Sequence, residues 1–144
     1  MNIWGISANS HDAAVSVWHD KQLQFAAHGE RYSGIKNDGD LCAGIIEDAE
    51  QYGKPDLIVW YENPDLKTAR QYTAGQGDRT KENDVKTYLA KYNLNQPLYI
   101  GEHHKSHAAA GYYTSGLTDA TVVVIDSIGE FETLTVWQGA GNDL

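Results

Sequence analysis

Leu57-Ile58-Val59-Trp60-Tyr61 is a continuous apolar run that follows Pro55 and stands between two stretches of helical periodicity. With no polar residue at alternate positions, the run has no face to give to water. It therefore reads as a strand covered on both faces, central in the parallel part of an α/β sheet. The chain around it has 144 residues, 41% hydrophobic, 22% charged and only 3 Pro. That suits one core, or part of a larger domain, and excludes disorder and low complexity.

The other segments place this strand in an order. Met1 to Ser7 and Ala13 to Trp18, joined by the polar turn Ala8-Asn9-Ser10-His11-Asp12, read as a hairpin. Leu23, Phe25 and Ala27 mark a third antiparallel strand that ends near Glu30. Arg31 to Asp40 reads as a loop, and Leu41 to Tyr52 as a helix that carries Leu41, Ile45, Ile46 and Ala49 at helical spacing before Gly53. The signal from Asn63 to Gly77 is weak. Asp78 to Tyr92 reads as a surface-lying helix with Val85, Tyr88 and Leu89 on one side, Leu98 to Ile100 as a short strand, and His103 to Tyr113 as a helix. Thr121 to Ile125 is then a buried strand, Asp126 to Glu130 a turn, and Phe131 to Trp137 the returning strand. This order, β-β-β-α-β-α-β-α and a new hairpin, is that of a ribonuclease-H-like half of an actin or sugar-kinase type fold, α/β with a mixed five-stranded sheet. Residues 1–120 form that half and residues 121–144 the opening hairpin of a second. In such duplicated folds the ligand lies between the halves.

Lys+Arg number 11 and Asp+Glu 20, a net charge of −9 that disfavours a nucleic-acid partner. No apolar run approaches the ~18 residues that cross a bilayer, and the N-terminus lacks a basic segment followed by an apolar one, so neither membrane nor export is expected. Cys42 alone forms no intramolecular disulfide and no multi-cysteine zinc site, which fits a reducing, cytoplasmic setting.

The densest chemical signal is Glu102-His103-His104-Lys105-Ser106-His107, with three of the 6 His inside five residues. Helix positions four apart share a face, so His103 and His107 are able to aim two imidazoles at one metal; His104 with His107 is the poorer pair. A solvated, polar helix start is the competing reading. Asp126, the polar stop of an apolar strand, is the candidate third ligand, because acids at the carboxyl ends of buried strands face the ligand crevice of α/β sheets. Capping of its own turn competes with that role. Imidazole plus carboxylate suits iron or zinc and does not separate them. His11 and Asp12 sit in the first hairpin turn, which either cradles an anion on backbone N–H groups or is an ordinary Asx-type turn. Arg31 and Lys36 are either reserved for a phosphate or carboxylate or are isolated surface charges.

Four segments in order carry a resemblance: Gly5-Ile6-Ser7 with His11-Asp12-Ala13-Ala14; Glu30-Arg31-Tyr32-Ser33 with Ile35-Lys36-Asn37-Asp38; His103-His104-Lys105-Ser106-His107-Ala108-Ala109; and Ile125-Asp126-Ser127-Ile128-Gly129-Glu130-Phe131. Together they resemble the N-terminal part of the carbamoyltransferase family that includes nodulation-factor and antibiotic O-carbamoyltransferases. The resemblance implies an actin-like domain akin to the tRNA threonylcarbamoyl-transferase catalytic subunit. Such a domain binds a divalent metal, iron favoured and zinc the alternative, and a carbamoyl-adenylate made from carbamoyl phosphate and ATP by a separate YrdC-type domain. It implies His103, His107 and Asp126 as metal ligands and His104 as a neighbour of the reacting group. His11, Asp12, Arg31, Lys36, Ser127, Gly129 and Glu130 lie in the motifs implied to face the substrate. The carbamoyl group then passes to a hydroxyl of a small-molecule acceptor, with His104 or His11 taking the proton.

Two residues depart from the family pattern: Ser127 stands where Gly is usual and Phe131 where Trp is usual. The rest of the second actin-like half, with a further metal-ligating acid, and the adenylate-forming domain have no counterpart in these residues and are expected in cis or on another chain. A non-catalytic metal- or nucleotide-binding module, or a split subunit that needs a partner chain, is the alternative function. Thr121 to Ile125 is too apolar to be expected as an exposed strand, and it forms a hairpin with Phe131 to Trp137. The hairpin is expected to extend the sheet of its own first half, or to pair with a partner or with a second copy as a homodimer.

Overall fold

The computed structural model describes residues 1–144. The chain forms two compact units, Met1–Tyr61 with Glu82–Ile100, and Glu62–Lys81 with Gly101–Leu144.

In the first unit, β1 (Asn2–Ser7), β2 (Ala14–His19), β3 (Gln22–His28), β4 (Leu57–Trp60) and β5 (Leu98–Ile100) build a five-stranded mixed sheet in the order β3-β2-β1-β4-β5. The first three strands are antiparallel, as their short polar turns dictate, whereas β4 lies between β1 and β5 and runs parallel to both. The apolar run thus holds its interior parallel position. Only its alternate residues are fully enclosed: Ile58 and Trp60 are buried, Leu57 and Val59 half-buried. Trp4, Ile6, Val15 and Val17 join them in one core with residues of α2 (Ala43–Glu50) and α4 (Val85–Ala90).

Three local readings change in this unit. One helical turn, α1 (Glu30–Ser33), stands where a loop is expected, and Gly34 at φ +71° closes it. Leu41 lies outside α2 because its N–H donates to the Tyr88 hydroxyl oxygen at 2.9 Å. The helix expected from Asp78 shrinks to α4. Asp78 and Asp84 accept hydrogen bonds from the backbone and hydroxyl groups of Thr80 and Thr87, offering the chain local partners in place of a helical ladder. Nor does α4 lie on the surface, since Val85, Tyr88 and Leu89 are buried.

The second unit contains α3 (Pro64–Thr73), α5 (His103–Ser115), β6 (Asp119–Gly129) and β7 (Glu132–Ala140). Helix α3 fills the stretch whose signal is weak. The Asn63 side chain accepts the N–H groups of Asp65 and Leu66, and Pro64 takes the first helical position, where no N–H is needed. Strands β6 and β7 pair with each other as a separate two-stranded sheet and do not extend the five-stranded one. On one face Val124 is buried, Val122 lies against Gly111 of α5, and Gly139 packs on the Tyr112 ring. On the other face Val123, Ile125, Leu134 and Val136 are exposed, Ile125 by 77%. The strand expected to be buried is therefore covered on one side only, because a two-stranded sheet with one helix behind it has nothing to place on the other.

The stretch from Asp126 to Glu130 is not one open turn. β6 continues to Gly129 through an irregularity in which four residue steps, Ile125 to Gly129, face two on β7, Leu134 to Glu132. The connecting loop is only Glu130-Phe131. No helix is long and apolar enough to cross a membrane.

Candidate metal centre

His103 and His107 stand one turn apart at the start of α5, so their rings overlie one face. Their Nε2 atoms are 3.1 Å apart. Asp126, carried on the bulge of β6, brings Oδ2 to 3.0 Å from His103 Nε2 and 3.9 Å from His107 Nε2. Its Oδ1 accepts the Ser127 N–H at 2.6 Å, which fixes the carboxylate while leaving the other oxygen toward the imidazoles. One ligand atom from each of the three residues falls within a 4.8 Å group. Two nitrogens bound ~2.0–2.1 Å from a single ion lie about 3 Å apart, so this borderline N,N,O donor set fits a divalent metal.

The electrostatics tie these groups together. Burial works to raise the Asp126 pKa, but the Ser127 N–H and His103 outweigh it and hold the carboxyl below its usual range. For His103 the neighbouring Glu62 carboxylate is the largest influence, opposed by burial and reinforced by Asp126, and the ring's pKa is raised above its ordinary value.

Glu62 and Lys67 are residues that the sequence reading missed. Glu62 is 4% exposed and Lys67 6%, and Lys67 Nζ donates to Glu62 Oε1 at 2.6 Å. The second carboxylate oxygen, Oε2, lies 3.5 Å from His103 Nδ1. Glu130 is also turned inward, with its Oε1 accepting the Asn63 N–H at 2.6 Å and the His103 N–H at 3.4 Å. Gly129, beside it, passes so close to the His103 and His104 rings that a Cβ there would overlap both.

His104 is fully buried. Its Nδ1 is 2.9 Å from Thr135 Oγ1, which accepts the Trp137 indole N–H at 2.8 Å. The indole only donates, so the hydroxyl keeps both its own proton to give to Nδ1 and a second lone pair to accept from it. The His104 Nε2 is buried and has no hydrogen-bond partner.

The remaining candidates lie in the first unit. His11 is exposed and its Nδ1 is 2.8 Å from Asp12 Oδ2. Asp12, at φ +53°, also accepts from Asn37 Nδ2 at 2.8 Å, and these two hydrogen bonds hold its pKa below the usual carboxylate value. The turn is stitched to the following loop by Asn9 N–H to Gly39 O and Ala13 N–H to Asp38 O, both 2.7 Å. Arg31 is exposed beside Glu30 at 3.4 Å, and Lys36 is exposed. Ser127 is exposed and contributes its backbone N–H to Asp126, as above.

Residues 44–144 match the family described as carbamoyltransferase N-terminus, and the chain belongs to that family. It is also similar to an uncharacterized protein, sll1178, of Synechocystis sp. (strain ATCC 27184 / PCC 6803 / Kazusa), with 29% identity over 174 aligned positions. That alignment takes in 99% of this chain and 28% of the relative, so the chain spans little more than a quarter of the relative's length.

Proposed function

We propose that the chain is the N-terminal, actin-like part of a metal-dependent O-carbamoyltransferase, which moves a carbamoyl group from carbamoyl-adenylate to a hydroxyl of a small molecule. Membership of the carbamoyltransferase family supports the reaction class. The observation that carries the metal dependence is the convergence of His103, His107 and Asp126. In this reading the second actin-like half and a YrdC-type domain that forms the adenylate act with the chain, in cis or from another polypeptide, in the cytoplasm.

His103 and His107 would hold the ion through Nε2 and Asp126 through Oδ2, with the Ser127 N–H keeping the carboxylate aimed. A bound divalent ion, iron first and zinc second, would supply Lewis acidity toward charge developing on the carbamoyl oxygen and the departing adenylate phosphate. His104, buried with an unpartnered Nε2, would in its Nε2–H tautomer offer a preorganised hydrogen bond to such an oxygen. His11, whose Nδ1 meets the Asp12 carboxylate, presents Nε2 as the basic nitrogen suited to taking a hydroxyl proton. Arg31 and Lys36 are the cations suited to the adenylate phosphate.

The test combines the chain with the part of a longer family member that lies beyond the matched region. ATP, carbamoyl phosphate, Fe2+ or Zn2+ and a panel of hydroxyl-bearing acceptors are added, and mass spectrometry follows the products. Carbamoylated product that disappears with a chelator is expected. Product formation indifferent to chelation and to Asp126→Asn would overturn the metal dependence, and failure of every acceptor while carbamoyl-adenylate is being formed would overturn the transfer.

A further inference from the structure

We propose that Glu62 and Lys67 are positioning residues for the metal centre: Glu62 accepts the Nδ1–H of His103 so that Nε2 faces the ion, and Lys67 holds the Glu62 carboxylate in place. The inference rests on the metal reading of the preceding subsection. Its ground is how the two carboxylate oxygens of Glu62 are divided. Oε1 is taken by Lys67 at 2.6 Å, while Oε2 lies 3.5 Å from His103 Nδ1, the ring nitrogen away from Asp126 and His107. A carboxylate on the far nitrogen of a ligating imidazole fixes its tautomer and orientation and strengthens it as a donor. The arrangement is anchored at both ends. Glu62 and Asn63 lead into α3, His103 opens α5, and Glu130 accepts the backbone N–H of both Asn63 and His103.

Stability alone does not explain the pair. Taking a carboxylate and an ammonium out of water is a large penalty that their mutual attraction scarcely recovers, and apolar replacements are often as good. A buried pair whose second carboxylate oxygen lies beside a ligand histidine has a reason to be ionic. Charge also balances: Lys67 offsets Glu62, which leaves Asp126 as the anionic ligand beside two neutral imidazoles, a set that welcomes a dication.

Calorimetric titration of the metal-free chain with Zn2+ alone tests this. The comparison is between wild type and Glu62→Gln/Lys67→Met, a double variant that leaves neither charge buried without its partner. About 10- to 100-fold weaker zinc binding, with a cooperative thermal transition retained, is expected. Unchanged affinity in the folded double variant would overturn the inference. A wild type that takes no zinc instead sinks the metal reading, and this inference with it. Imidazole 15N spectra of the zinc-loaded wild type provide a readout that holds even if the double variant fails to fold: zinc on Nε2 and a slowly exchanging proton on Nδ1 of His103 are expected, whereas zinc on Nδ1 would overturn the inference.

Discussion

Gly129 packs its backbone directly on the rings of His103 and His104, where a side chain has no room. Gly129→Ala is expected to destabilise the chain by roughly 1–3 kcal/mol through overpacking and to weaken metal binding by tilting the His103 ring, read out by urea unfolding and zinc titration. Glu130 next to it sits at φ +57°, a conformation costing a non-glycine residue roughly 1–2 kcal/mol, and its carboxylate clamps two backbone N–H groups in return. His103 gives a pH signature. Its folded pKa is raised above the ordinary 6.5, chiefly by Glu62, so in the metal-free chain the folded state holds the proton more tightly than the unfolded one. The stabilisation is fully present below about pH 6.5 and lost as the pH rises through the raised value. Urea midpoints measured in chelator should fall across that window in wild type and stay flat in His103→Asn. At this scale the grouping of the three side chains was legible: spacing four on a helix picks out His103 and His107, and an acid ending an apolar strand picks out Asp126. The same rule points to Glu62, two residues beyond the end of β4 at Trp60. Lys67 had no local signal, because its partner is five residues away across a helix start rather than on the same helix face.

Helix α3 shows why periodicity fails for some elements. Its one buried residue is Lys67, so no apolar stripe exists to be counted. The legible signal was the Asn63-Pro64-Asp65 start, a cap followed by proline and an acid in the first turn. Asn63→Ala is expected to cost about 1 kcal/mol in a thermal or urea transition, since two N–H groups lose their acceptor; Asn63→Asp should keep most of the stability. The opposite error at α4 has the mirrored cause, because Asp78 and Asp84 satisfy neighbouring backbone groups locally and stop the helix from starting earlier. For β6, the run Val122-Val123-Val124-Ile125 hides its alternation by being apolar on both faces, so burial on one side only was not readable from composition. The bulge before Gly129 was equally silent, although it is what presents Asp126 to the histidines.

On the scale of the whole molecule, the order of strands and the mixed five-stranded sheet were legible because each strand is bounded by polar turns or helix stops, whereas α1 and α3 were not. The exposed pairs Val123–Val136 and Ile125–Leu134 leave an apolar sheet face on the surface. Concentration-dependent association is expected from it, strengthened by salt that screens a net charge of −9. Ile125→Thr/Leu134→Thr should shift sedimentation velocity toward monomer while changing stability by only about 0.5 kcal/mol; sedimentation of wild type as a monomer at all concentrations would refute this. The proposed reaction requires one donor set, His103, His107 and Asp126, to hold a single divalent ion. Titration of the metal-free chain with Co2+, followed through its visible absorption, tests that most directly. One ion per chain is expected, with at least about tenfold weaker binding in each of His103→Ala, His107→Ala and Asp126→Asn. A wild type that takes up no cobalt, or variants that bind it as wild type does, would contradict the metal reading.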